Sequence, residues 1–227
     1  MSNVAIILGA GNSTRMKADK SKLLLQAGGM TVIERTVKTF SEIPVIDEII
    51  VVCRESDLDS FEEVLGSYDV SYCFGGNTRQ ESVFNAVETI DDDCEYVIIH
   101  DGARPLITEE EILKTIDKAY EYGAAAVGVP VKDTIKVVDD DNIIVDTPDR
   151  STLVSIRTPQ IFKFDLYKKA LELAKSQKKD FTDDCALIEN YGEKVCAVTG
   201  DYGNIKITTP EDIAVAESIL IARGELE

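Results

Sequence analysis

Residues 4–22 read VAIILGAGNSTRMKADKSK. Val4 to Leu8 is an unbroken apolar run that ends in the small-residue turn Gly9-Ala10-Gly11-Asn12-Ser13, and Arg15, Lys17, Lys20 and Lys22 follow closely. A buried strand running into a glycine-bearing, cation-carrying loop reads as the first unit of an α/β nucleotide-binding sheet. Glycine lets backbone approach a phosphate closely, and the cations supply positive partners for its oxygens. The loop is not a P-loop, because no glycine-lysine-hydroxyl triplet occurs. Nor is it a dinucleotide fingerprint, since Gly9-Ala10-Gly11 lacks a well-placed third glycine. Taken alone, the turn equally fits an ordinary strand-loop connection with surface cations.

Composition narrows the field. The chain has 227 residues, enough to bury one substantial core, and the length suits a single α/β domain spanning 1–227. A formal net charge of -18 argues against nucleic acid and against anionic membrane surfaces. Positive residues gathered at one loop stand out on so acidic a background. No apolar run approaches the roughly 18 residues needed to span a bilayer, and no leader-like start is present, so a cytoplasmic location is expected. The five cysteines (Cys53, Cys73, Cys94, Cys185, Cys196) are scattered without a C-x-x-C, and there is one histidine. A disulfide framework or a Cys/His zinc site is not indicated.

In order, the chain alternates. Thr31-Val-Ile-Glu34 is a capping box for a helix with Ile33, Val37 and Phe40 on one face. Glu48 to Cys53 is a second buried strand. Leu58, Phe61 and Leu65 mark a short helix closed by Gly66. Val70 to Phe74 is a third strand running into Gly75-Gly76-Asn77-Thr78-Arg79, where Thr78 and Glu81 form another capping box. Tyr96 to His100 is a strand, Thr108 and Glu111 cap a helix ending at Gly123, and Ala124 to Val131 is a strand. This rhythm predicts a three-layer, mainly parallel sheet with ligands outside the carboxyl ends of its strands. It then breaks. Residues 134–138 and 143–145 read as a hairpin across a polar turn. Within an insertion spanning 131–157 it is either an extra antiparallel edge or an arm for a second subunit. Helical spacing over 164–175, a helix from Thr182, a strand over 195–198 and a helix start at Thr209-Pro210 complete the chain.

Asp101 follows a buried strand directly, a position that suits a divalent cation as well as an Asx turn or cap. His100 continues the apolar run YVIIH and fits an edge-of-core residue better than a general base. The cations considered are Arg15, Lys22, Arg79, Arg104, Lys132, Arg150, Arg157 and Lys206. Arg15, Lys22, Arg150 and Lys206 stand apart because they lie beside glycines, prolines or threonines.

Seven stretches then occur in order: LGAGNSTRM with Lys22, GGNTRQESV, HDGARPLIT, VPVKDTIK, TPDR…RTPQIF, FTDDCALIE and GDYGNIKITTPEDIAVAE. Through them the chain resembles the bacterial 2-C-methyl-D-erythritol 4-phosphate cytidylyltransferases over essentially its full length. The resemblance implies a Rossmann-like nucleotidyltransferase fold with an inserted β-hairpin arm. It also implies transfer of a cytidylyl group from CTP to the sugar-alcohol phosphate, with Mg²⁺ and release of pyrophosphate. By matching motif, Ala10, Gly11, Arg15 and Lys22 would surround the CTP phosphates, with Arg15 and Lys22 stabilising the transition state. Gly76, Asn77 and Ser82 would lie at the cytosine and Asp101 at the metal and ribose, adjoined by Gly102 and Arg104. Thr134, Arg150, Thr158 and Lys206 would receive the acceptor phosphate. The arm would clasp a partner in a homodimer and carry substrate contacts into its site.

The chemistry suits these residue types. The acceptor's phosphate oxygen attacks the α-phosphorus of CTP, and cations meet both the attacker and the charge that develops. A phosphate monoester is a competent nucleophile near neutral pH, so no general base is needed. Departures from the family pattern are Gly9 for alanine, Ser13 for a loop glycine, Ser21 for a proline, Asn77 for an aspartate, and no tryptophan or tyrosine ahead of the TPQ segment. Two alternatives share these motifs: a D-ribitol 5-phosphate cytidylyltransferase, and a CTP-binding module without catalysis.

Overall fold

The computed structural model describes residues 2–11 and 21–226. Arg15 and Ser13 therefore lie outside the described residues. A seven-stranded sheet runs through the molecule in the order β11-β7-β10-β6-β1-β4-β5. Its strands are β1 (Ser2–Leu8), β4 (Glu48–Cys53), β5 (Ser71–Phe74), β6 (Cys94–Asp101), β7 (Ala124–Pro130), β10 (Val154–Lys163) and β11 (Cys196–Thr199). Every pairing in it is parallel except those of β10, which runs antiparallel to both β6 and β7.

Period-two alternation sorts the core into two layers. Ala5 and Ile7 of β1 face one buried cluster, shared with α1 (Val32–Ser41), α2 (Leu58–Leu65), α4 (Glu109–Tyr122) and α7 (Glu211–Ala222). Val4 and Ile6 face the other, shared with α3 (Arg79–Val87), α5 (Phe164–Gln177) and α6 (Asp184–Tyr191). The strands read as continuous apolar runs because helices cover both faces. Ile33, Val37 and Phe40 of α1 are fully buried. At roughly 1.5–3 kcal/mol per buried large side chain, that stripe outweighs intrinsic helix propensity in fixing the orientation of α1.

Local signals hold at the helix starts. Thr31 and Thr108 form complete capping boxes with Glu34 and Glu111. The third box is half made: the Glu81 N–H donates to Thr78 Oγ1, but the Glu81 carboxylate accepts from the Asn77 N–H instead of the Thr78 N–H. Gly66 closes α2 in a right-handed conformation, and Pro210 sits at the N-cap of α7, one place before its first turn.

Two features go beyond the sequence reading. Residues 26–31 make a small hairpin, β2 (Gln26–Ala27) with β3 (Met30–Thr31), turned by Gly28 and Gly29 at φ 64° and 77°, the positive dihedrals a two-residue hairpin turn requires. The RTPQIF segment, to which the sequence reading assigns no element, is most of β10 in the middle of the sheet, with Pro159 where the register shifts between Ile156 and Gln160. The 134–145 segment does form its own hairpin, β8 (Val137–Val138) with β9 (Ile144–Asp146), and stays outside the main sheet. None of the five cysteines forms a disulfide, and Cys53, Cys94 and Cys185 are core residues. Among the described residues, no helix is long and apolar enough to cross a membrane.

Candidate active site

The carboxyl ends of β1, β4, β5 and β6 open onto one cleft of about 540 Å³. Ala10 and Gly11 continue β1 into it, Arg54 continues β4, the Gly75–Arg79 loop continues β5, and Asp101 ends β6. Lys22, Lys206 and Thr208 complete the wall from the far side. This is where an open α/β sheet binds ligands.

Packing dictates the shape of the glycine-loop side of the cleft. The Gly9 N–H donates to Val52 O at 2.7 Å, tying the β1 turn to β4. A side chain on Gly75 would collide with the Cβ of Ala10, so glycine is what lets the two loops meet. The Gly76 N–H donates to Ser82 Oγ at 3.0 Å, and that hydroxyl donates onward to Thr78 O at 2.9 Å. Ser82 thus shapes the loop from inside. Asn77 gives both its backbone N–H and its side-chain amide to Glu81 Oε2, at 2.7 and 3.1 Å. An aspartate at that position would oppose a carboxylate, which accounts for the asparagine.

Asp101 is the electrostatic centre. Its Oδ2 lies 2.8 Å from Lys206 Nζ and 3.4 Å from Arg104 Nε, while its Oδ1 has no hydrogen-bond partner among the described residues. Burial opposes ionisation, but the charges of Lys206, Arg79 and Arg104 overcome it and hold the carboxyl well below the usual carboxylate range. Thr158 Oγ1 accepts the Asp101 N–H at 3.0 Å, locking the strand end. Lys22 Nζ donates to Ile207 O at 2.7 Å, so it spans from the first loop to the Lys206 segment.

The Lys206 segment is itself held by arginines. Arg104 Nη1 donates to Asn204 O, and Arg157 Nη1 donates to the carbonyls of Asp201, Tyr202 and Asn204. His100 is fully buried, and burial lowers its pKa to about 4. As a neutral ring its Nε2–H donates to Arg104 O at 3.2 Å, leaving Nδ1 without a partner. It packs on Phe40 and does not line the cleft.

Of the residues expected at the site, Ala10, Gly11, Lys22, Gly76, Asn77, Ser82, Asp101 and Lys206 share the cleft. Gly102 lies beneath it, where a Cβ would sit 2.9 Å from Ile33 Cδ1 and 3.0 Å from Leu8 O. Arg104 and Thr158 stand behind Asp101. Thr134 and Arg150 lie on the exposed 131–157 segment outside the cleft lining, with Arg150 Nη1 donating to Lys132 O at 2.7 Å. Arg54 and Thr208 line the cleft without having been singled out. For Arg54 the signal was its place directly after a buried strand. It is clamped by Asp57, with Nε–Oδ2 at 2.6 Å and Nη2–Oδ1 at 3.0 Å.

Among the described residues, no group of three or more His, Cys, Asp or Glu side chains could hold a metal ion. Magnesium does not need such a cage where one carboxylate and substrate phosphates supply its oxygens. An ionised Asp101 with Oδ1 available fits that mode.

Comparison with known proteins identifies one family over nearly the full length of the chain. The sequence model of the 2-C-methyl-D-erythritol 4-phosphate cytidylyltransferase family matches residues 3–222. A protein of that name from Caldanaerobacter subterraneus is 50% identical over 95% of this chain and 97% of its own. One from Clostridium perfringens is 44% identical over 94% and 96%. The crystal structure of 4-diphosphocytidyl-2C-methyl-D-erythritol synthase from Anaerococcus prevotii superposes with a TM-score of 0.88 at 38% identity, covering 97% of this chain and 98% of that one.

Proposed function

The chain belongs to the 2-C-methyl-D-erythritol 4-phosphate cytidylyltransferase family, and we propose how its cleft carries out that reaction. The enzyme joins the cytidylyl group of CTP to 2-C-methyl-D-erythritol 4-phosphate and releases pyrophosphate. The observation that carries our reading is the convergence of Lys22, Lys206 and Asp101 in one cleft at the strand ends.

CTP lies along the Ala10–Gly11 turn, with its base toward Gly76, Asn77 and Ser82. Backbone groups of a glycine loop can hydrogen-bond cytosine while leaving too little room for a purine. Lys22, with Arg15 as the resemblance implies, meets the negative charge that grows on the α-phosphate oxygens, where cations act most strongly. Lys206 neutralises the acceptor phosphate so that two anions can approach. Thr158 holds Asp101 in place through its backbone. Asp101, with Gly102 and Arg104 behind it, would hold Mg²⁺ through Oδ1. Mg²⁺ held there would supply positive charge to offset that of the phosphates. No residue is required as a base, because the acceptor monoester is already nucleophilic; His100, neutral and buried, has no part.

Thr134 and Arg150 act from the 131–157 arm in a homodimer. The arm's apolar side chains support this: the consecutive Ile143, Ile144 and Val145 are 61%, 59% and 58% exposed, the kind of contiguous apolar surface that marks an interaction site. A monomeric mass by light scattering would sink that assignment. The five unbridged cysteines support a reducing, cytoplasmic setting.

The test is magnesium-dependent pyrophosphate release from CTP, run in parallel with methylerythritol phosphate and ribitol 5-phosphate. Strong preference for the first is expected. Preference for ribitol phosphate, or CTP binding with no release, would overturn the reading.

A further inference from the structure

The FTDDCALIE stretch supplies no side chain to the cleft lining, yet one of its residues reaches the site through a single intermediary. Asp184, the first residue of α6, is buried and accepts from Arg79 Nη2 at Oδ2 and from the Tyr167 hydroxyl at Oδ1, both at 2.6 Å. Its backbone N–H donates to Gln160 Oε1 at 3.0 Å, as does that of Cys185 at 3.2 Å. Two elements therefore reach the carboxylate itself, α3 through Arg79 and α5 through Tyr167, while β10 holds the backbone at the start of α6 through Gln160. Arg79 is the only member of the set that lines the cleft. Its side chain is 28% exposed against 4% for that of Asp184, so the carboxylate grips Nη2 from within while part of the arginine stays open at the cleft.

A structural tie between α3 and α6 does not need a buried charge pair. Removing two charges from water costs several kcal/mol per ion, and well-packed apolar side chains commonly do as well. The two segments are in any case already joined by Gln80, which donates to Lys179 O and accepts from the Phe181 N–H. What an apolar clip could not provide is a rigid positive charge at the cleft wall. A planar guanidinium held on one edge keeps its remaining donors aimed, and the substrates of this site carry several phosphate oxygens.

We propose that Arg79 is a further substrate-contacting cation of the cleft, and that Asp184 and Tyr167 are positioning residues that fix its guanidinium toward the anionic oxygens of the bound substrates. This rests on the cytidylyltransferase reading. Arg79 follows the Gly75–Thr78 loop and shares the cleft with Asp101 and Lys206. Asp184 does not touch substrate; it acts only through Arg79.

The experiment is a double-mutant cycle on the intact enzyme, with steady-state pyrophosphate release and thermal melting read for each variant. The variants are Tyr167→Phe, Asp184→Asn and Arg79→Gln, with both pairs made in the Arg79→Gln background. Tyr167→Phe keeps the packing volume and Asp184→Asn keeps the shape, so both leave a folded protein to measure. Arg79→Gln is expected to lower kcat/KM by roughly tenfold or more, and Tyr167→Phe and Asp184→Asn by several-fold. In the Arg79→Gln background, the losses from Tyr167→Phe and Asp184→Asn should vanish. Arg79→Lys, which keeps the charge but not the fork, should recover only part of the loss. Equal losses with and without Arg79, or lowered melting temperatures with unchanged kcat/KM, would show a structural clip and overturn the proposal. Wild-type turnover in the same series reports on the cytidylyltransferase reading separately. An inactive wild type would fail that reading, whereas an active wild type with an additive cycle would fail only this inference.

Discussion

Lys206 Nζ sits 2.8 Å from Asp101 Oδ2, so the cation proposed for the acceptor and the carboxylate proposed for the metal are each other's counter-ion. On the proposed assignments, an incoming phosphate would compete with Asp101 Oδ2 for Lys206, while a cation at Oδ1 would leave that contact in place. Drawing Lys206 away would strengthen the field of Asp101 at the metal, which would couple the two events. Asp101→Asn should lower kcat about a hundredfold or more and flatten the dependence of rate on Mg²⁺ concentration. A metal titration of the variant checks this, and an unchanged Mg²⁺ dependence would exclude Asp101 as the metal ligand. The sign of its pH effect follows from its depressed pKa. The stability it contributes is fully present above the unfolded carboxyl value of about 3.9 and is lost only as pH falls through the lower folded value.

His100 provides the acid-side weakness instead. Burial brings its pKa from an ordinary 6.5 to about 4. Between those values the unfolded chain binds a proton that the folded chain refuses, so stability falls as pH drops from 6.5 toward 4. The integrated loss is of order 3 kcal/mol. Urea midpoints at pH 7 and pH 5 should differ in the wild type, and the gap should shrink in His100→Gln, while turnover at pH 7 per folded molecule changes little. An undiminished gap would place the titrating group elsewhere.

Gly9 is a packing requirement. A Cβ there would lie 2.8 Å from Val52 O and 2.9 Å from Phe61 Cε2, and the first of these is backbone that cannot step aside. Gly9→Ala should cost about 1–3 kcal/mol of stability, seen as a lower urea midpoint. An equal or higher midpoint would mean that β1 and β4 can separate at the turn without penalty.

Lys22→Ala should separate activity from stability. Its Nζ donates to Ile207 O, and losing that bond costs about 1 kcal/mol. Removing a cation from a growing phosphate charge costs a hundredfold or more in kcat. Matched losses in melting temperature and turnover would make Lys22 a structural strut.

Much of this was readable because it is local. Val4–Leu8, the Thr31 and Thr108 boxes and the Gly123 stop are written in adjacent residues, and the structure repeats them with shifts of one place at Pro210. Asp101 and the Gly75–Asn77 loop were expected at strand ends, where the cleft lies, while their roles came only through the family resemblance. What escaped was non-local or against propensity. Pro159 argues against a central strand, yet β10 accommodates it where its register with β7 slips. The clamp of Asp57 on Arg54 carries no warning in a chain rich in both charges. The Arg79–Asp184 pair joins residues 105 positions apart, a separation that no pattern in a single sequence reveals.

The antiparallel β10 also sets an order of assembly. Residues 2–101 contain β1, β4, β5 and β6, four neighbours in the sheet that need nothing later in the chain to pair. A nascent chain can therefore complete one half of the sheet, and most of the nucleotide wall, while the rest is still being made. The free edge of β6 is then an unpaired strand with apolar faces, waiting for residues 160–163 to cover it. Until they arrive, Asp101 also lacks Thr158 at its N–H. Translation speed across the 58 residues between Asp101 and Gln160 is thus the interval during which the young enzyme is most exposed to sticking to its own copies.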